Sequence, residues 1–236
     1  MAANKNKNIL QVEKLSVRLS QELIIEDLSF CVDRGEHLTI IGPNGSGKTT
    51  LFKALIGVIP YTGTITWASD TVIGYVPQKL DIDRNLPLSL NDFLQSKNYH
   101  LKPTDLKKYL DLVHLSERLL PKPLGFLSGG EFQRAMMTLA LIGDSNVLLF
   151  DEPTAGIDEP SEEEIYETMH RLQAEKGVTI ITISHDLSLV NRYADNVLCL
   201  NRRGLCYGHP HEIANPSTLA KVFGTKRYKH YDHTHG

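Results

Sequence analysis

Two stretches near the start of the chain, ILQVEKLSVRL (9–19) and LIIEDLSFCV (23–32), alternate apolar and polar residues, the period of a strand with one buried face. RGE (34–36) makes a turn, and LTIIG (38–42) is a short continuous apolar run, as expected of a central strand covered on both faces. TTLFKALIGVI (49–59) shifts to helical spacing and is expected to stop at Pro60. GTITWA (63–68) and TVIGYVP (71–77) predict further strands. From about Lys79 to Phe126 the texture changes: SLNDFLQSK and PTDLKKYLDLVHL have 3.6-type periodicity, with Ser and Thr placed as N-caps and prolines as breaks, which predicts a helical insert. Beyond it come a helix through EFQRAMMTLALIG, a strand NVLLF, a helix SEEEIYETMHRLQAEKG, a strand VTIITIS and a hairpin NVLCLNRRGLCYG.

Strands alternating with helices imply an α/β fold with a mainly parallel sheet and helices on both faces. In such sheets ligands bind beyond the carboxyl ends of the strands. Composition changes this picture little. The 236 residues are 41% hydrophobic and 22% charged, ordinary for one large globular domain. A formal net charge of −3 gives no electrostatic reason to expect a nucleic-acid partner. Cys31, Cys199 and Cys206 form no CxxC pair and lie in apolar, strand-like stretches, so three buried free thiols in a reducing compartment are expected. The polar start MAANKNKN is no signal peptide, and no apolar run approaches the ~18 residues of a membrane span.

The candidate chemistry sits where the pattern changes from strand to helix. GPNGSGKTT comprises Gly42, Pro43, Asn44, Gly45, Ser46, Gly47, Lys48, Thr49 and Thr50, and satisfies G-x-x-x-x-G-K-[ST] between a strand and a helix. Glycines let the backbone wrap a phosphate, their N–H groups point inward, and the helix N-terminus adds partial positive charge. Lys48 is expected to meet the β- and γ-phosphates and the Thr49 hydroxyl to bind Mg²⁺. NVLLFDEP delivers Asp151 and Glu152 at the end of a buried strand, where one carboxylate suits the metal and the other can orient or deprotonate a water. Asp151 suits the metal and Glu152 the water.

A phosphate loop alone fits many nucleotide enzymes. Here YVPQ ends at Gln78, LSGGEFQR spans Leu127–Arg134, TAGID follows Pro153, and TISHD places His185 after a buried strand. In this order they resemble the ATP-binding cassette (ABC) family from about Ile9 to Gly208. The resemblance implies a P-loop NTPase (RecA-like) core with an N-terminal antiparallel β subdomain and a helical subdomain bearing the signature. It divides the single domain into a core over about 9–78 and 141–225, a helical part over about 79–140, and a histidine-bearing tail over 226–236. It also implies that Gly42–Thr50 cradle ATP and that Thr49 and Gln78 bind Mg²⁺. Lys48, Glu152 and His185 then carry the hydrolysis of ATP to ADP and phosphate. Ser128, Gly129, Gly130 and Glu131 belong to a signature that meets the ATP of the opposite subunit, and Asp158 communicates across that interface. A homodimer on ATP binding is physically reasonable, because Ser128–Gly130 open a second helix whose N–H groups suit phosphate.

Two departures from the family pattern stand out. Leu19 occupies the place of an adenine-stacking aromatic, and Leu139 in TLAL (138–141) replaces an arginine. One cassette with a short helical insert is similar to the energising subunit of a bacterial importer. Such a subunit lies on the cytoplasmic face of the membrane, docks a separate permease near residues 79–126, and works with a solute-binding protein. Glu131, TAGID and the end LAKVFGTKRYKHYDHTHG resemble the zinc/manganese/iron branch. Haem, siderophore or another solute, and a soluble cassette outside transport, are the alternatives. His230, His233 and His235 in the tail fit either a metal site or a solvated end, since ordering the segment costs ~1–2 kcal/mol per residue.

Overall fold

The computed structural model describes residues 7–78, 86–213 and 215–223. The two alternating stretches form β1 (Asn8–Leu19) and β2 (Glu22–Asp33), an antiparallel pair whose inward residues Val12, Leu15, Val17, Ile25, Leu28 and Val32 are buried. With β4 (Thr62–Trp67) on the other side of β1 they make a three-stranded antiparallel sheet in the order β2-β1-β4. The apolar runs form β3 (His37–Ile41), β6 (Val147–Asp151) and β7 (Thr179–Ile183), every residue of which is buried. They are central in a six-stranded sheet ordered β5-β6-β7-β3-β8-β9, with β5 at Ile73–Val76, β8 at Asn196–Asn201 and β9 at Arg203–Gly208. All pairs in it are parallel except β8 with β9. The class read from the sequence, a P-loop α/β core with an added antiparallel sheet and a helical region, is the fold observed.

Helix α1 (Lys48–Leu55) follows β3 and buries Leu51, Phe52, Ala54 and Leu55. It ends five residues before the proline expected to stop it, because Gly57 takes φ +75° and the amides of Gly57 and Val58 bond back to Ala54 O and Lys53 O. Three helices make up most of the insert and its continuation: α2 (Leu90–Gln95), α3 (Pro103–Leu112) and α4 (Gly129–Leu141). Ser89 caps α2 as expected, its side chain accepting from Asp92 N at 3.1 Å. The Thr expected to cap α3 does not, since Pro103 occupies its first turn and Lys102 makes no side-chain cap. Leu90, Leu94, Leu106, Leu110, Met136 and Met137 join one apolar cluster with Leu148 and Ile180, so these helices share a core with the parallel sheet. Leu139, in the place of an arginine, packs half-buried against that cluster. Helices α5 (Glu159–Lys176) and α6 (Leu187–Tyr193) follow β6 and β7, and the short α7 (Pro210–Ile213) and α8 (Pro216–Phe223) close the described chain.

The expectation of three free thiols is corrected. Cys199 and Cys206 face each other across the β8–β9 hairpin and are joined as a disulfide, leaving Cys31 free and only partly buried. The hairpin itself is where its pattern placed it, and its register brings the two sulfurs together.

At the amino-terminal end of β3, His37 is fully buried, with its ring Nε2 3.1 Å from Thr182 Oγ1 and no partner on Nδ1. Burial holds its pKa down at about 4, opposed by Asp195 and reinforced by His170. The folded pKa lies below the unfolded value near 6.5, so the unfolded chain takes up more protons between the two. The neutral ring contributes fully above pH ~6.5 and loses its contribution as pH falls toward about 4. Urea unfolding at stepped pH is expected to show up to ~3 kcal/mol lost over that window. His37→Gln should flatten this slope, and an unchanged slope in that variant would assign the acid sensitivity to other groups.

Candidate nucleotide site

The parallel register sets the carboxyl ends of four strands at one level. Ile40 pairs with Ile183, Asp151 with Ile183, and Val76 with Phe150, so the segments after β3, β5, β6 and β7 leave the sheet side by side. Those segments carry Gly42–Lys48, Gln78, Glu152 and His185. The topology therefore brings together residues up to 143 positions apart in sequence (Gly42 to His185).

The loop after β3 has little freedom to be anything other than glycine-rich. A Cβ on Gly42 would lie 2.0 Å from Leu200 O, and Gly47 takes φ +100° as N-cap of α1, packed on Ile24 and Ile25. Among the described residues no side chain caps α1, which leaves its first-turn amides for an anion. Lys48 is buried, and its Nζ donates to Gly42 O at 2.8 Å and Pro43 O at 3.1 Å. Burial lowers its pKa, opposed by Glu152 and Asp151. Ser46 is buried, with its hydroxyl unpartnered.

The two carboxylates differ in setting. Asp151 is buried, which raises its pKa, and it accepts from Thr49 Oγ1 at 3.2 Å and Tyr75 OH at 3.4 Å. The Tyr75 hydroxyl is itself pushed up to about 12, chiefly by burial and then by Asp151, so it stays a donor. Glu152 takes φ +50°, a left-handed conformation that costs a non-glycine residue about 1 kcal/mol or more and tends to persist at functional sites. That turn aims its carboxylate at two partners, Gln78 Nε2 at 2.5 Å and His185 Nε2 at 2.6 Å. Glu152 thus lines two adjoining cavities. One, of about 480 Å³, is bounded by Ile24, Asn44, Gly45, Gly47, Lys48, Thr49, Thr50 and Gln78. The other, of about 360 Å³, is bounded by Thr154, Ala155, Glu162, Ser184, His185 and Asp186.

The remaining predicted residues stand elsewhere. Ser128 caps α4 in a capping box, its Oγ accepting from Glu131 N at 3.2 Å while Glu131 Oε2 accepts from Ser128 N at 2.8 Å and from Lys122 Nζ at 3.1 Å. Gly129 and Gly130 face Ile157 and Ser161, and Asp158 caps α5 through Ser161 N at 3.3 Å. Ser128–Glu131 and Asp158 thus form a second cluster that does not bound the cavity around Lys48. Leu19 pairs with Glu22 at the tip of the β1–β2 hairpin and is 38% exposed. His230, His233 and His235 lie outside the described residues. Among the described residues no three His, Cys, Asp or Glu side chains converge on a metal position.

Sequence reasoning missed two residues of this site. Ile24 forms the apolar wall of the cavity, and Tyr75 fixes Asp151. Tyr75 lies inside the YVPQ motif, but its bond to a residue 76 positions away needed the β5–β6 register to be seen.

A glycine-rich strand–loop–helix with paired carboxylates at the neighbouring strand end defines a nucleoside triphosphatase of the P-loop class. The ABC transporter family profile matches residues 25–155. A zinc import ATP-binding protein, ZnuC, of Pseudomonas fluorescens (strain Pf0-1) is 34% identical over 96% of this chain and 89% of its own length. The zinc import ATP-binding protein of Cereibacter sphaeroides is 37% identical over 92% of this chain and 88% of its own. Among solved structures, cbiO1 from Clostridium perfringens, part of the ABC transporter complex cbiONQ, superposes with a TM-score of 0.78 at 28% identity, covering 91% of this chain and 94% of that one. The chain belongs to the ABC transporter family and is an ATP-binding ATPase subunit of that family.

Proposed function

We propose that this chain is the ATP-hydrolysing subunit of a bacterial importer of divalent metal ions, with zinc as the favoured cargo ahead of manganese and iron. The likeness to zinc import ATP-binding proteins over nearly the whole chain carries the cargo. The chemistry follows from the site. The α1 amides and Lys48 hold the β- and γ-phosphates, and Glu152 orients and deprotonates the attacking water. His185 holds Glu152 on the side away from Gln78. Thr49 Oγ1 and the Asp151 carboxylate, 3.2 Å apart, are hard oxygen donors of the kind Mg²⁺ takes in small number while keeping its waters, with Gln78 beside them. Bound there, Mg²⁺ would neutralise charge on the phosphate oxygens.

The signature cluster supports a second copy as partner. Ser128–Gly130 open a 13-residue helix and do not line the cavity around Lys48, so one chain presents two separate helix N-termini suited to phosphate. Two chains placed head to tail sandwich two ATP molecules, Asp158 lies at their contact, and opening after hydrolysis drives a separate integral-membrane permease docked near the helical region. A solute-binding protein delivers the ion on the far side, and the ATPase sits peripherally on the cytoplasmic face. Deleting the chain from its cells and measuring zinc, manganese and iron together tests the cargo. Zinc accumulation is expected to fall, restored by the parent chain and not by Glu152→Gln, and unchanged levels of all three metals would sink the reading.

The base contact is the weak point of the ATP site. With Leu19 aliphatic, the apolar wall comes from Ile24. An aromatic–base stack is worth ~1–3 kcal/mol. Leu19→Tyr is therefore expected to tighten MgATP binding about fivefold or more by equilibrium dialysis. Unchanged affinity would mean the base does not reach residue 19.

A further inference from the structure

The β8–β9 hairpin carries chemistry that ATP hydrolysis does not use. Cys199 and Cys206 are direct cross-strand partners, with Cα atoms 4.9 Å apart, inside the range a disulfide requires. Cys199 is fully buried beside Ile41, Val197 and Val222, while Cys206 is half-buried and open to a small reagent. Cys31 takes no part: burial pushes its thiol pKa up, which keeps it a poor thiolate.

The residues just past Cys199 touch the phosphate loop. Leu200 O fills the space a side chain on Gly42 would need. Arg202, at φ +63°, donates its amide to Ser46 O at 3.2 Å and accepts from Glu26 N at 2.8 Å. Arg202 and Arg203 also pair with Glu22 and Glu26 of β2. The turn is thereby clamped between the loop that holds phosphate and the sheet beside it. The ladder slips its register between Cys199 and Leu200 and resumes as Leu200–Gly204 and Asn201–Arg203, so the cross-link sits on the last pair before the irregularity that leads into the turn. Among the described residues β9 is an edge strand, paired with β8 alone.

We propose that Cys199 and Cys206 form a reversible dithiol–disulfide site whose oxidised form holds the hairpin turn against Gly42 and Ser46 and tightens nucleotide binding. This rests on the reading of Gly42–Thr50 as the nucleotide site. The oxidant is a low-molecular-weight disulfide such as glutathione disulfide. The Cys206 thiolate attacks one of its sulfurs, forming a mixed disulfide and releasing one glutathione thiolate. The Cys199 thiolate then attacks the Cys206 sulfur, closing the protein disulfide and releasing the second. The protein dithiol loses two electrons and two protons, and glutathione disulfide is reduced to two glutathiones. In a reducing compartment such a bond is a transient sensor. By linkage, whatever factor the disulfide adds to nucleotide affinity, bound nucleotide returns to the stability of the disulfide.

The test equilibrates the full chain in glutathione–glutathione disulfide mixtures, alkylates free thiols, and reads their number and position by mass spectrometry. MgATP affinity is measured on the same samples. The expected result is paired loss of Cys199 and Cys206 labelling with Cys31 still labelled. MgATP should bind about fivefold or more tightly to the oxidised form, reversed by dithiothreitol. Cys206→Ser should lose the redox response and Cys31→Ser keep it. Full labelling of Cys199 and Cys206 throughout, or equal MgATP affinity of the two forms of the parent chain, would overturn the proposal without touching the ATP site. Loss of MgATP binding in both forms would overturn the nucleotide-site reading, and the linkage with it, while the labelling still reports the thiol chemistry.

Discussion

Glu152→Gln is expected to abolish ATP turnover while leaving MgATP bound. The amide keeps the shape of the carboxylate and can still meet Gln78 and His185, so the left-handed turn that presents it should survive. It cannot accept the proton of an attacking water. Loss of a positioned general base costs about 10²–10⁴ in rate. Phosphate release followed over hours, with equilibrium binding of MgATP measured on the same preparation, separates the two effects. Turnover close to that of the parent would place the base elsewhere. Asp151 would then be the next carboxylate to consider, and it is poorly suited, because it is buried, held by Thr49 and Tyr75, and raised in pKa.

Lys48→Ala acts one step earlier, on binding. The ammonium is buried and held by the carbonyls of Gly42 and Pro43, which stations it at the mouth of α1 beside Asp151 and Glu152. A charge-assisted hydrogen bond is worth about 1.5–3 kcal/mol, so the dissociation constant for MgATP should rise about tenfold to a hundredfold or beyond. The same two bonds tie the phosphate loop to its own helix. The variant without nucleotide is therefore expected to unfold at a lower temperature as well. Unchanged MgATP affinity would remove Lys48 from the phosphate contacts.

What the sequence made legible was what depends on local pattern or on a compact motif. Continuous apolar runs foretold the fully buried β3, β6 and β7, and alternation foretold β1 and β2, because burial on two faces and on one face leave different periods. The phosphate loop was legible because its glycines answer constraints confined to nine residues. Where pairing across the sheet decides, the sequence was mute. Tyr75 against Asp151 and Ile24 in the cavity wall both depend on neighbours far along the chain. The cysteines are the plainest case. Their hairpin was predicted, but whether Cys199 faces Cys206 depends on the register around an irregular turn, and a one-residue slip would have set them on opposite faces. The end of α1 was missed for a smaller reason: Gly57 leaves the helix before Pro60 can act.

The claim that matters most to the proposed mechanism is that each chain carries two half-sites which meet only between copies. Glu152→Gln, which holds ATP without consuming it, allows a direct measurement of mass in solution by sedimentation equilibrium, with and without MgATP. Two chains with two bound nucleotides in MgATP, one chain in its absence, and a return to one chain when Ser128→Arg is added are the predicted results. A single chain that keeps its ATP at all concentrations would contradict it.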